Sequence, residues 1–245
     1  MSSTDAHPVI EAHRGDSANA PENTLAAFQR AFDLGVRWTE LDIHPAKDGA
    51  LMVIHDDTLD RTTNGAGAVS DFTAEELRRL DAGSWFDPEF AGERIPLLEE
   101  VFELAASRDT RVNVEIKAFA QGFDVAERLV KLLRAFGREK DCLVSSFEVE
   151  PLLEVRALAP EITLACIGRG LEILPVARRL GIPWIHAERN TVDTTLVAEA
   201  HESGLRVNAW VIDDPAELPR WRGLGVDKIC TNRPAELLPA ARGEG

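Results

Sequence analysis

Short apolar runs and longer amphipathic runs take turns along the chain. Runs of strand length occur at 8–13, 37–43, 111–116, 142–146, 162–167, 183–187, 206–212 and 227–231. Apolar positions recur with helical spacing at 23–34, 97–107, 124–136, 149–158, 171–180, 191–203, 215–222 and 234–241. Strand–helix alternation predicts a parallel sheet, because each helical crossover returns the chain to the end where the next strand must begin. Eight such units in 245 residues fit an α/β fold of the closed (β/α)8 TIM barrel kind.

A ninth strand-like run, 51–55 (LMVIH), breaks the count. Asp48-Gly49 is the signal of a two-residue type I′ hairpin turn. That register pairs Lys47 with Ala50 and Asp42 with His55, so the hairpin returns His55 to the end of the second barrel strand. Pro45 has no N–H for a ladder bond, so its arm is expected to be an edge there. Residues 57–96 have no barrel role. They hold turn residues (Asn64-Gly65, Gly67, Gly83), a short helical run near 73–80, and Trp85, Phe86 and Phe90. They read as an insertion over one barrel face with its own apolar cluster. No linker-like segment is visible, so 1–245 is expected to be a single barrel domain with an insertion at about 57–96.

Charge narrows the partners. Forty-two acids against 27 bases give a formal charge of −15, which opposes nucleic acid and a stable hold on anionic membrane. An anionic small molecule would need local arginines, a lysine or a bound cation. No run approaches the roughly 18 apolar residues of a membrane span. The first ten residues, MSSTDAHPVI, have no apolar core of a signal peptide, which gives a cytoplasmic expectation. Cys142, Cys166 and Cys230 are far apart in apolar runs and read as buried free thiols.

In such a barrel, sites collect at the C-terminal ends of the strands. His13 and Arg14 end the first strand, Glu40 and Asp42 the second, Glu115 and Lys117 the third. A spacing of two puts Glu40 with Asp42, and Glu115 with Lys117, on one face of their strands. If that face is the interior, three carboxylates meet in a space that disfavours charge. A divalent cation resolves this, and oxygen-only ligands suggest Mg²⁺ or Ca²⁺. Structural ion pairs, such as Lys117 with Glu115, are the plainer alternative, favoured for any one acid and not for three. His13 and His55 flank the cluster and suit proton transfer near neutral pH. Arg14 and Lys117 supply charge for a phosphate or sulfate. Trp210 is expected to wall the pocket, with Phe147 a weaker candidate. His186 is a candidate for the mouth. Asn23 is expected to cap the first helix, with Pro21-Glu22 fixing the turn. His44 is expected to be structural, on the face opposite Asp42, and His7 and His201 are assigned no role.

The segments HRGDSANAPENT, ELDIHPAKDGALMVIHDDTLDRTT, VEIK, SSF, AWVIDDP and VDKICTNRP occur together and in order. In them the chain resembles the glycerophosphodiester phosphodiesterase family, which is a TIM barrel with an insertion after the second strand. The resemblance implies His13 and His55 as the acid–base pair, Glu40, Asp42 and Glu115 as metal ligands, and Arg14 and Lys117 as phosphate contacts. It implies hydrolysis of deacylated phospholipids to sn-glycerol 3-phosphate and an alcohol. The attacker is left as water or the neighbouring glycerol hydroxyl. Two departures come late: Val211 where the family often has Thr, and Asn232 where it often has Asp. Both are expected to touch head-group preference more than catalysis. The rival readings are a lysophospholipase D or phospholipase-type enzyme on lipids, and a barrel that binds metal and phosphodiester without catalysis.

Overall fold

The computed structural model describes residues 8–117 and 124–242; His7 lies outside them. The strands are β1 (Val9–His13), β2 (Trp38–Pro45), β3 (Leu51–Val53), β4 (Arg111–Ile116), β5 (Cys142–Ser146), β6 (Thr163–Gly168), β7 (Trp184–Glu188), β8 (Arg206–Trp210) and β9 (Lys228–Thr231). The helices are α1 (Leu25–Asp33), α2 (Ala74–Leu77), α3 (Leu98–Ala106), α4 (Val125–Ala135), α5 (Val149–Leu158), α6 (Ile173–Leu180), α7 (Thr194–Glu202), α8 (Leu218–Leu224) and α9 (Pro234–Arg242). All strands but β3 pair in parallel, in the order β1-β2-β4-β5-β6-β7-β8-β9, and β9 returns to β1. The sheet is a closed TIM barrel, as the alternation predicts.

The main core lies between the outward faces of the strands and the apolar stripes of the helices. In α1 the buried stripe is Ala27, Phe28, Ala31 and Phe32, and in α4 it is Val125, Ala126, Leu129, Val130 and Leu133. These spacings are the helical period that the sequence shows. Several helix starts move inward from their predicted places. Thr24 caps α1, its hydroxyl accepting from Ala27 N, and Asp193 caps α7 by accepting from Leu196 N. Pro215 sits in a 3-10 turn capped by Asp214, so α8 begins at Leu218.

The β2–β3 hairpin differs from expectation by one residue. Its pairs are Ile43 with Val53, His44 with Met52 and Pro45 with Leu51, so Ala46 faces Ala50 and Asp42 faces Ile54. Of the two turn residues only Gly49 has positive φ, +80°, and a type I′ turn needs both. The loop is therefore three residues with glycine in the left-handed position. Contacts with the insertion stabilise it. Lys47 N donates to Phe72 O (2.8 Å) and Ala74 N to Asp48 Oδ2 (3.2 Å), neither visible in local turn chemistry. Pro45 lies past the last β2–β4 pair, Ile43 with Ile116, at an edge as expected. Between β3 and α3 a second apolar cluster gathers Leu59, Val69, Leu77, Ala82 and Ile95 against Met52 and Ile54. The predicted helix at 73–80 shortens to α2, closed by a Thr73–Glu76 capping box.

Candidate active site

The C-terminal ends of β1, β2 and β4 converge on one cavity. The β1–α1 loop leaves the barrel through three special positions. Arg14 and Asn23 have positive φ, +56° and +59°, although neither is glycine. Gly15 has φ +83°, and a Cβ there would lie 2.5 Å from the Ala27 carbonyl carbon. Non-glycine residues in this region cost about 1–2 kcal/mol each and persist where surrounding contacts hold them. Here Arg14 N donates to Glu40 O and to Glu40 Oε2, both at 3.1 Å. Asn23 Nδ2 donates to Asp42 Oδ2 at 2.8 Å. Asn23 is therefore not the helix cap, which is Thr24. Its side chain serves the carboxylate cluster.

Glu40, Asp42 and Glu115 each offer an oxygen within 4.8 Å of the others, and all three are buried. The β2–β4 register sets Asp42 beside Glu115. Arg14 Nε lies 3.1 Å from Asp42 Oδ2, and Lys117 Nζ lies 2.8 Å from Glu115 Oε1 and 3.6 Å from Asp42 Oδ1. Positive charge does not balance the cluster. Burial, with the neighbouring carboxylates, drives Glu40 well above its ordinary range and Glu115 up to about 7. Arg14 and Lys117 outweigh burial at Asp42 and hold it at about 2. Glu40 Oε1 and Asp42 Oδ1 are buried without a hydrogen-bond partner. Orphaned buried carboxylate oxygens at ligand spacing, with no sulfur or nitrogen donor among them, fit a hard divalent cation.

The two histidines are anchored alike. His13 Nδ1 donates to Asn232 Oδ1 (2.6 Å) and His55 Nδ1 to Asp56 Oδ1 (2.6 Å). Each thereby keeps Nε2 free, and both rings line the cavity. His13 Nε2 is 3.9 Å from Glu40 Oε2. Burial, reinforced by Arg14, lowers His13 to about 4, and burial lowers His55 as well. Asn232 thus holds a ring of the site, a part that the sequence reading gave to head-group preference. Its Nδ2 is in turn held by Asp213 Oδ2 at 2.8 Å.

Arg61, in the insertion, escaped the sequence reading altogether. It donates to Asp56 through Nε (2.7 Å) and to both Glu22 oxygens (2.8 Å). Glu22 also accepts from Arg14 Nη1 at 2.8 Å. One guanidinium therefore ties the carboxylate behind His55 to the carboxylate behind Arg14. The remaining assignments divide. Trp210 and Phe147 meet edge to face at 5.9 Å on the cavity wall, with Lys117 Nζ 5.7 Å from the Phe147 ring. His186 lines the cavity and is buried. His44 is structural, its Nε2 bonded to His55 O at 3.0 Å. Two residues on from Asp42, however, it shares that residue's side of β2 and does not oppose it. His201 bonds Asp227 on the surface. All three cysteines are free and buried. No helix among the described residues is long and apolar enough to cross a membrane.

Comparison with known proteins agrees with this geometry. The model of the glycerophosphoryl diester phosphodiesterase family matches residues 13–236. A glycerophosphodiester phosphodiesterase of Caldanaerobacter subterraneus is 40% identical over 240 residues, 97% of this chain and 99% of that one. The solved structure of an Oleispira antarctica phosphodiesterase, in complex with the product sn-glycerol-3-phosphate, superposes with a TM-score of 0.91 at 30% identity. The match covers 96% of this chain and 97% of that one. A glycerophosphodiester phosphodiesterase from Agrobacterium tumefaciens gives 0.84 at 32% identity, covering 96% and 99%.

Proposed function

The chain belongs to the glycerophosphoryl diester phosphodiesterase family, and on that premise we propose that it hydrolyses glycerophosphodiesters to sn-glycerol 3-phosphate and an alcohol. The observation that carries the reading is a buried carboxylate cluster flanked by two histidines, each anchored at Nδ1 and free at Nε2. The product complex of the Oleispira antarctica relative supports the substrate class.

Glu40, Asp42 and Glu115 would hold a divalent cation, Mg²⁺ or Ca²⁺, which when bound supplies a Lewis acid for the phosphoryl oxygens. Arg14 and Lys117 attract the phosphate and neutralise charge that grows in the transition state. The Nε2 of one histidine takes the proton of the attacking hydroxyl, and the Nε2 of the other gives a proton to the departing alkoxide. Asn232 and Asp56 accept from Nδ1–H and so direct Nε2 of both rings into the cavity, unprotonated in the ring that acts as base and protonated, as imidazolium, in the ring that acts as acid. The attacker is water, or the glycerol's own neighbouring hydroxyl, in which case the alcohol leaves a cyclic phosphate that water then opens to sn-glycerol 3-phosphate. Trp210, with Phe147, walls the cavity beside the phosphate. The insertion at 57–96 belongs to the same folding unit, because Arg61 completes the support of both Arg14 and His55.

The test is release of glycerol 3-phosphate from glycerophosphocholine and glycerophosphoethanolamine, with EDTA and with Mg²⁺ or Ca²⁺ restored. Loss to EDTA and recovery with one ion is expected. His13→Ala and His55→Ala are each expected to lower kcat by about 10²–10⁴ while binding metal as before. Near wild-type turnover in either variant would end the two-histidine scheme.

A further inference from the structure

The anchor of His13 is an amide, and an amide carries a donor and an acceptor on one carbon. Turned one way, Asn232 offers Oδ1 to His13 Nδ1, 2.6 Å away, and fixes a proton there. Turned the other way it offers Nδ2, and the neutral ring must then carry its proton on Nε2. The two orientations have almost the same shape, so something outside the amide has to choose between them. Asp56, the anchor of His55, faces no such choice, because a carboxylate only accepts.

The neighbours of Asn232 supply the choice. On the His13 side, Ser17 Oγ lies 3.1 Å from Asn232 Oδ1 and 2.8 Å from His13 O. A hydroxyl can donate or accept, so Ser17 fits either orientation. On the far side stands Asp213, three residues past Trp210 at the end of β8. Its Oδ2 accepts from Asn232 Nδ2 at 2.8 Å. Its Oδ1 accepts from Asn232 N at 2.8 Å and from Thr231 Oγ1 at 3.0 Å. The backbone N–H can only donate, so it holds the carboxylate in place. With Asn232 flipped, its Oδ1 would meet Asp213 Oδ2, and two acceptors would face each other. Of these contacts, the one between Asp213 and the side-chain amide admits a single orientation.

We propose that Asp213 is a positioning residue: through the amide of Asn232 it keeps a proton on His13 Nδ1 and so keeps Nε2 of that ring available to the reaction. The inference rests on the proposed hydrolysis of glycerophosphodiesters and adds to it a residue outside the cavity lining. It holds whichever histidine is the base. A base needs a lone pair on Nε2, and an acid needs protons on both ring nitrogens. An amide N–H₂ set against Nδ1 denies both states.

The chemistry predicts an inverted order of substitutions. In Asp213→Asn the new side chain must keep its oxygen toward the donors Asn232 N and Thr231 Oγ1, so its N–H₂ faces Asn232. That turns Asn232 Oδ1 away from His13 and pins the ring in the wrong tautomer. In Asp213→Ala the amide of Asn232 is released but not reversed. A carboxylate that only supported the loop would give the opposite order, with the isosteric amide the milder change.

The test measures kcat and KM on glycerophosphocholine at one fixed Mg²⁺ concentration, with ring ¹⁵N spectra of His13 at neutral pH. Asp213→Asn is expected to lower kcat by about 10²–10⁴, the loss that a wrongly held catalytic histidine brings. Asp213→Ala is expected to lower it less, by about tenfold. KM should stay within about twofold of the wild type in both, because Arg14 and Lys117 are untouched. The protonated nitrogen of His13 is expected to be Nδ1 in the wild type and Nε2 in Asp213→Asn. Combining Asp213→Asn with Asn232→Asp restores an acceptor against Nδ1 and keeps every hydrogen bond of the pair. That exchange is expected to return the Nδ1 proton and bring kcat to within about tenfold of the wild type, and with the wild-type ring it decides the matter should the single variant fail to fold. A wild-type ring protonated on Nε2, a loss in Asp213→Asn no larger than in Asp213→Ala, or an exchange variant without a proton on His13 Nδ1 would overturn the proposal. A wild type that cleaves no glycerophosphodiester, with metal bound, would instead overturn the hydrolysis, and the ring spectra would still decide whether Asp213 sets the tautomer.

Discussion

Asn23 and Asn232 are amides, easily passed over beside histidines and acids, and each fixes the state of a charged or titrating partner. Asn23 reaches Asp42 only because its backbone is left-handed. Asn23→Ala therefore removes a hydrogen bond to a buried carboxylate and keeps the strained backbone. It is expected to cost about 1–3 kcal/mol for the lost bond, the strained conformation being common to both residues. Asn23→Gly relieves the strain and is expected to recover a large part of that in denaturant unfolding, while both variants weaken metal binding roughly tenfold or more. Equal unfolding midpoints for the two variants would mean that the backbone carries no strain. At Asn232 a neutral carbonyl receives the His13 Nδ1–H. Asn232→Asp would place a carboxylate there and favour the imidazolium. The His13 pKa, near 4 in the protein as it stands, is expected to rise toward the ordinary histidine range. An NMR titration of the His13 ring that shows no upward movement would refute this account of the anchor.

At the scale of elements, strand and helix identity was legible because burial imposes periods of 2 and 3.6 on the chain. Carboxylate convergence was legible for the same reason, through Glu40, Asp42 and Glu115 at strand ends. The same period of 2 also sets Glu11, Asn113 and Asn208 on the inner face, one step down each strand, where nothing in the pattern distinguishes them from ordinary core positions. The hairpin register was not legible, since Lys47 and Asp48 answer to Phe72 and Ala74 in the insertion, not to each other. Arg61 was hidden for a similar reason. Its partners Glu22 and Asp56 belong to different segments, 39 and 5 residues away. Its side chain is 44% exposed, and exposed ion pairs contribute only about 0–1 kcal/mol to stability. Its use lies in position. Arg61→Ala is expected to leave the thermal midpoint within a few degrees and to lower kcat/KM on glycerophosphocholine by about tenfold or more, with Arg61→Lys intermediate. A large fall in midpoint with unchanged activity would show the clasp to be structural instead.

At the scale of the whole molecule, a chain with formal charge −15 gathers three of its acids in a buried cluster, where water screens their repulsion poorly. That arrangement costs stability unless a cation or protons neutralise it, and pH decides which. Without a cation Glu115 takes up its proton near pH 7, and Glu40 is raised well above its ordinary range, against 4.5 for an ordinary glutamate. Between about pH 4.5 and 7 Glu40 and Glu115 therefore bind more protons in the folded protein than in the unfolded chain, and their contribution to stability falls as pH rises. His13, His44, His55 and His186, lowered chiefly by burial, act in the opposite sense below their ordinary 6.5, with or without the cation. Asp42, held near 2, contributes in the opposite sense only below its ordinary value of 3.8, outside this window. A bound cation displaces the protons and removes the penalty, so its affinity rises across the same range. The thermal midpoint of EDTA-treated protein is expected to drop from pH 5 to pH 8 relative to protein with Mg²⁺ or Ca²⁺. The gap between the two curves should widen steadily, and calorimetry near pH 7 should register protons released as metal binds. Glu115→Gln removes one of the titrating groups, so the gap between its two curves should widen less than in the wild type. A gap that stays constant with pH, or one that widens as much in Glu115→Gln as in the wild type, would show that the acidic cluster is not where the ion and the protons compete.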